Sequence, residues 1–165
     1  MEVWKIVLQF ATAVAGCFGF AIVFHVGRNE WLVASLGGAV SWAAYLLMLS
    51  VSGNDYAAAF VGSSASAFYG EMIARKVHAP ATVFTVIAFV PLIPGASLYR
   101  AADALMNGHS GAGRRLAVYT LAFAACMSAG VVVTTLILRK IGKARAGRIA
   151  GLASVTPSGN RVYCS

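Results

Sequence analysis

The chain has 165 residues, of which 59% are hydrophobic and 11% charged, with a formal net charge of +8. A soluble domain usually carries about 25% charged residues, and this chain has too few to coat a water-facing surface. With a mean hydropathy of +0.77, it cannot be a soluble enzyme, a disulfide-stapled secreted module or a disordered tail, and the bilayer is its solvent.

The charged residues leave charge-free runs at 6–27, 31–54, 56–70, 77–99 and 116–138. A helix rises about 1.5 Å per residue, so about 20 apolar residues cross a hydrocarbon core about 30 Å thick. Barrel strands would alternate apolar and polar residues, whereas these runs are apolar on every face. The expected fold is therefore all-α, a polytopic membrane protein with five transmembrane helices at about 3–26, 31–51, 55–75, 80–100 and 115–139. They form one domain over 1–151, with short loops near 26–30, 52–55, 76–79 and 101–114 and a flexible tail at 152–165. Trp4, Trp31, Tyr56 and Tyr99 fall near span ends, as interfacial aromatics do.

The first run competes with a cleaved signal peptide. Glu2 opposes Lys5, so a positive n-region is missing, and the apolar stretch is longer than an h-region. It reads as a span.

In the third span Ala58, Gly62, Ser66, Gly70 and Ala74 recur every four residues. Such a stripe lets helix backbones approach closely in lipid. It serves either packing alone or the wall of a polar path, since Ser63, Ser64 and Tyr69 lie beside it. Glu71, in the same span, is the one carboxylate expected at membrane depth, where an ionisable group is costly and a candidate proton carrier. Arg75 at i+4 offers the other role, an ion pair near the interface.

The fourth span contains Val90-Pro91-Leu92-Ile93-Pro94-Gly95-Ala96-Ser97. Pro91 and Pro94 lack N–H groups, which deprives the carbonyls of Ile87 and Val90 of their usual helical donors. Gly95 loosens the chain further. Unwound backbone at this depth is tolerated against protein or a water-filled cavity, where transporters build substrate sites. Pro91, Pro94, Gly95, Ser97, Tyr99 and Arg100 are thus the candidate substrate-binding residues, with the Arg100 guanidinium suited to a carboxylate. The plainer alternative is a kink with Arg100 reaching the headgroups.

The fifth span ends in Arg139, Lys140, Lys143, Arg145 and Arg148, a cationic anchor rather than a nucleic-acid surface. With five spans the termini face opposite sides. Eight Lys and Arg near the helix ends on the C-terminal side against four on the other place the N-terminus outside and the C-terminus in the cytoplasm. The Arg114–Arg115 pair pulls the other way. Cys17, Cys126 and Cys164 have no zinc or redox spacing, and His25, His78 and His109 have no ligand spacing, so neither metal nor cofactor is expected. The run Gly108 to Arg115 lacks the Lys and the hydroxyl residue of a phosphate loop.

The run Ala74-Arg75-Lys76-Val77-His78-Ala79-Pro80-Ala81-Thr82-Val83-Phe84, followed by Pro91-Leu92-Ile93-Pro94-Gly95-Ala96-Ser97-Leu98-Tyr99-Arg100, resembles the small-subunit half of the threonine/serine exporter family. Phe24-His25-Val26, Gly38, Trp42 and Tyr45 fit the same pattern, and the resemblance covers roughly residues 1–145. It implies a non-enzymatic subunit of a secondary exporter in the cytoplasmic (inner) membrane. The exporter would move threonine, serine or a dicarboxylate outward on the proton gradient. The implied partners are a second five-span subunit or another copy of the chain, a small carboxylate substrate and the lipid bilayer, without nucleic acid. Five spans is an odd number, so one chain cannot by itself hold two inverted halves. The rival expectation is a membrane scaffold that stabilises a partner without transporting anything.

Overall fold

The computed structural model describes residues 3–77 and 80–155, and from residue 143 onward the backbone alone. His78, Cys164 and the tail from residue 156 lie outside the described residues.

Among the described residues six α-helices follow one another: α1 (Val3–Val23), α2 (Trp31–Ser52), α3 (Asp55–Val77), α4 (Ala81–Phe89), α5 (Gly95–Met106) and α6 (Ser110–Val155). Turn chemistry punctuates them. Gly53, at φ 61°, ends α2 and donates its N–H to the Leu49 carbonyl. Gly108, at φ 79°, reverses the chain after α5. Both positions need the left-handed region that glycine enters without a Cβ clash.

Helix α3 is the centre of the bundle, packed against α2, α4 and α6, while α1 lies outside α2 and α5 lies on α6. Its small residues make this possible. A Cβ on Gly70 would stand 2.7 Å from the backbone nitrogen of Thr85 on α4. On the other side Gly130 of α6 sits against the Phe60 carbonyl of α3. Two apolar clusters fill the interior. One joins Cys17, Ala34, Ala74, Phe84 and Ile87 from α1 to α4. The other joins Ala59, Leu92, Phe123 and Met127 from α3, the segment after α4, and α6.

The surface is apolar instead of charged: Leu47, Val51, Leu121 and Met106 all point outward. Among the described residues three helical stretches are long and apolar enough to cross a bilayer, namely Trp4–Val23, Trp31–Ser52 and Ser110–Gly142. The pair α4–α5 passes the same test jointly, bent by 56°. Helix α3, at 23 residues, has the length but not the hydropathy. Its central position explains this. A helix screened from lipid by its neighbours can carry Ser63 and Ser66, both fully buried.

Two boundaries differ from the sequence expectation. The loop placed at 101–114 shrinks to Asn107–His109, because α5 continues to Met106 and α6 begins at Ser110. Ala101, Ala102, Ala104 and Leu105 favour helix, and Leu105 seats directly against Gly113 of α6. The last helix also outruns the span set at 115–139, its backbone remaining helical to Val155, inside the stretch assigned to the tail.

Candidate functional site

The site grows out of the interruption between α4 and α5. Helix α4 stops at Phe89, tightens into a 3-10 turn over Val90–Leu92, and passes through an extended Ile93 (φ −61°, ψ 122°) before α5 restarts at Gly95. The carbonyls stranded by the two prolines are not left bare. Ile87 O accepts the Val90 N–H, and the Cys17 thiol of α1 donates to it at 3.1 Å. Val90 O accepts the Ile93 N–H at 3.2 Å. The Ser41 hydroxyl of α2 donates to Ala88 O. Donors from α1 and α2 therefore hold the end of α4, as backbone polarity in a low-dielectric interior demands.

In the angle of the break lies a cleft of about 390 Å³. Its floor is the segment Pro91–Ser97, its walls are Trp42 and Tyr45 of α2 and Tyr119 and Phe123 of α6, and Arg100 stands at its side. Pro91, Pro94, Gly95, Ser97 and Arg100 are thus brought together on one cleft. Tyr99, grouped with Arg100 in the sequence, is set apart from it: it is 73% exposed and outside the lining. Successive helical residues point about 100° apart, so neighbours in sequence do not share a face. Ser97 turns its hydroxyl back to the Pro94 carbonyl at 2.9 Å. Arg100 has no carboxylate within pairing distance among the described residues.

Glu71 lies away from the cleft, 19% exposed, with Arg75 at 3.7 Å on the next turn. The stripe Ala58, Gly62, Ser66, Gly70 and Ala74 is buried along its whole length. Gly62 receives Tyr45 and Leu92, and so carries the cleft wall and floor against α3.

Four further features were not assigned from the sequence. Trp42 and Tyr45 stack with centroids 5.2 Å apart, and Phe123 and Tyr119 continue the aromatic wall. The Trp42 Nε1–H is buried without an acceptor among the described residues. The Tyr119 hydroxyl donates to the Asp55 carboxylate of α3 at 2.9 Å. The Tyr45 hydroxyl is close enough to interact with that same carboxylate. Asp55 reads in the sequence as a helix-end charge, and Tyr119 stands 64 residues away inside an apolar run, so only the aromatic residue types hinted at this wall.

The fold and the cleft together define an all-helical protein with several helices long and apolar enough to cross a bilayer, whose discontinuous helix opens onto a recess lined by aromatic residues and Arg100, a feature found in transporters. The chain belongs to the threonine/serine exporter (ThrE) family, whose family model matches residues 9–137. It is 28% identical over 135 residues to a threonine/serine exporter of Corynebacterium glutamicum, an overlap of 80% of this chain and 27% of that protein. It is 26% identical over 105 residues to an uncharacterized protein of Haemophilus influenzae, covering 64% of this chain and 35% of that protein. The chain thus spans about a third or less of the length of these curated relatives. No solved structure matches it.

Proposed function

We propose that this chain is a five-span half of a secondary exporter in the cytoplasmic membrane, with α3 as the central span and the pair α4–α5 as one broken span. The distribution of Lys and Arg supports an outer N-terminus and a cytoplasmic C-terminus. A second subunit, different or identical, completes the transporter. The fraction of the C. glutamicum exporter that this chain covers supports a larger whole. The cargo is a small carboxylate, either a hydroxy amino acid such as threonine or serine or a dicarboxylate. Arg100 holds its carboxylate beside Ser97 and the Pro94–Gly95 backbone. Glu71, a half-buried carboxylate on the central helix, carries the coupling proton and exchanges it against its Arg75 pairing.

The observation that carries this reading is the Arg100 guanidinium, unpaired among the described residues, on a cleft formed by a broken helix. A charge-assisted hydrogen bond contributes about 1.5–3 kcal/mol, so losing one weakens binding roughly 10- to 100-fold. The test is efflux of threonine, serine and succinate from cells producing the chain with the proteins encoded beside it. Arg100→Ala raises the apparent KM by that factor, and Glu71→Gln flattens the pH dependence of the rate. Unchanged KM in the first variant and an unchanged pH profile in the second refute the assigned roles.

A further inference from the structure

The cleft has two chemically different sides. Arg100 can only donate hydrogen bonds, and it has no protein acceptor among the described residues. The facing phenols behave oppositely. A tyrosine has one proton to give, and Tyr119 gives its proton to Asp55 at 2.9 Å. What Tyr119 offers the cleft is therefore an oxygen lone pair. Tyr45 lies near the same carboxylate and adds a second phenol oxygen to this side. Behind both oxygens stands Asp55, which has no ion-pair partner within 4.0 Å among the described residues, although Arg114 and Arg115 line the adjoining groove at Tyr56 and Tyr119. The aromatic faces of Trp42, Tyr45 and Phe123 complete this side, and such faces attract cations.

We propose that Tyr119, oriented by Asp55, and Tyr45 form an acceptor pole that takes the ammonium end of a zwitterionic substrate, with the carboxylate end at Arg100. This rests on the reading of the cleft as the substrate site and deepens it, since a dicarboxylate would set its second anion against an acceptor pole and pay a repulsion there. Asp55 acts through the Tyr119 phenol, as a positioning residue. It selects amino acids over dicarboxylates without touching either.

The test uses inverted vesicles from cells producing the chain with the proteins encoded beside it. It measures saturable uptake of labelled L-threonine and its inhibition by N-acetyl-L-threonine, which keeps the carboxylate and lacks the ammonium. The wild type binds the acetylated compound at least tenfold more weakly than threonine. Asp55→Asn keeps the size but carries an amide NH2 that can donate to the Tyr119 oxygen, so the phenol is no longer bound to give its proton to this residue. It raises the threonine KM about tenfold, leaves the maximal rate near normal and leaves inhibition by N-acetyl-L-threonine unchanged, while Asp55→Glu restores the discrimination. Should Asp55→Asn fail to accumulate, Tyr119→Phe, which deletes one acceptor oxygen, carries the same expectation. Equal inhibition by the two compounds in the wild type overturns the inference. So does a variant that loses maximal rate with KM intact, the mark of a merely structural Asp55. An Arg100→Ala variant with unchanged threonine KM instead overturns the substrate-site reading, and this inference with it.

Discussion

At Gly70 the backbones of α3 and α4 approach closely, and replacing it by alanine tests whether that approach holds the broken helix in place. A Cβ there would lie 2.7 Å from Thr85 N and 2.9 Å from Thr85 Cα, so the obstacle is backbone and cannot swing aside. Reaching ordinary contact at 3.4 Å requires the helices to part by roughly 0.7 Å, and overpacking of this kind costs about 1–3 kcal/mol. Alanine recovers about 0.5–1 kcal/mol of helix propensity, too little to offset the clash. Gly16→Ala on α1 supplies the control, because nothing lies within 4 Å of its Cβ and only the propensity gain remains. At about 2–4 °C per kcal/mol for a chain of this size, the two variants should separate by about 2–12 °C in melting temperature. Tryptophan fluorescence of the detergent-purified proteins reads this directly. Equal melting temperatures for Gly70→Ala and Gly16→Ala would refute the close α3–α4 contact.

The remaining expectations concern the neighbourhood of the break. Ser41→Ala removes a buried donor to the Ala88 carbonyl, which should cost about 1–3 kcal/mol in thermal unfolding, whereas Ser41→Cys retains a weak donor and should cost less. Trp42→Phe deletes an Nε1–H that has no acceptor among the described residues, so stability should change by about 1 kcal/mol or less. The same variant should raise the KM for threonine in the vesicle assay, and a change in stability with unaltered KM would contradict the placement of Trp42 in the wall of a substrate cleft.

Tertiary arrangement reverses the apparent importance of the two carboxylates. Glu71 stands out in the sequence because it sits within an apolar segment, and the structure gives it Arg75 on its own helix. Asp55 looks like a boundary marker, yet it is the residue that α6 reaches through Tyr119. No local pattern contains that fact, because the partners lie on different helices, in runs chosen for their hydrophobicity. The same holds for the prolines. Their missing N–H groups can be read from residue type alone, but the thiol that reaches the Ile87 carbonyl comes from α1, and the hydroxyl on the neighbouring Ala88 carbonyl comes from α2.

What the sequence determined by itself is what the bilayer dictates one helix at a time: apolar runs, small residues spaced by four, and a proline-interrupted segment. Each follows from the cost of exposing charge or bare backbone to hydrocarbon, a cost paid locally and therefore written locally. Only the tertiary structure decided that α3, a long helix whose hydropathy falls short of a membrane span, is the central one, that Tyr99 leaves the cleft while Arg100 stays, and that α5 runs on to Met106. Those outcomes depend on which helices touch. In lipid, where burying one apolar face gains little over another, that choice rests with close packing and a few hydrogen bonds between residues far apart in the chain.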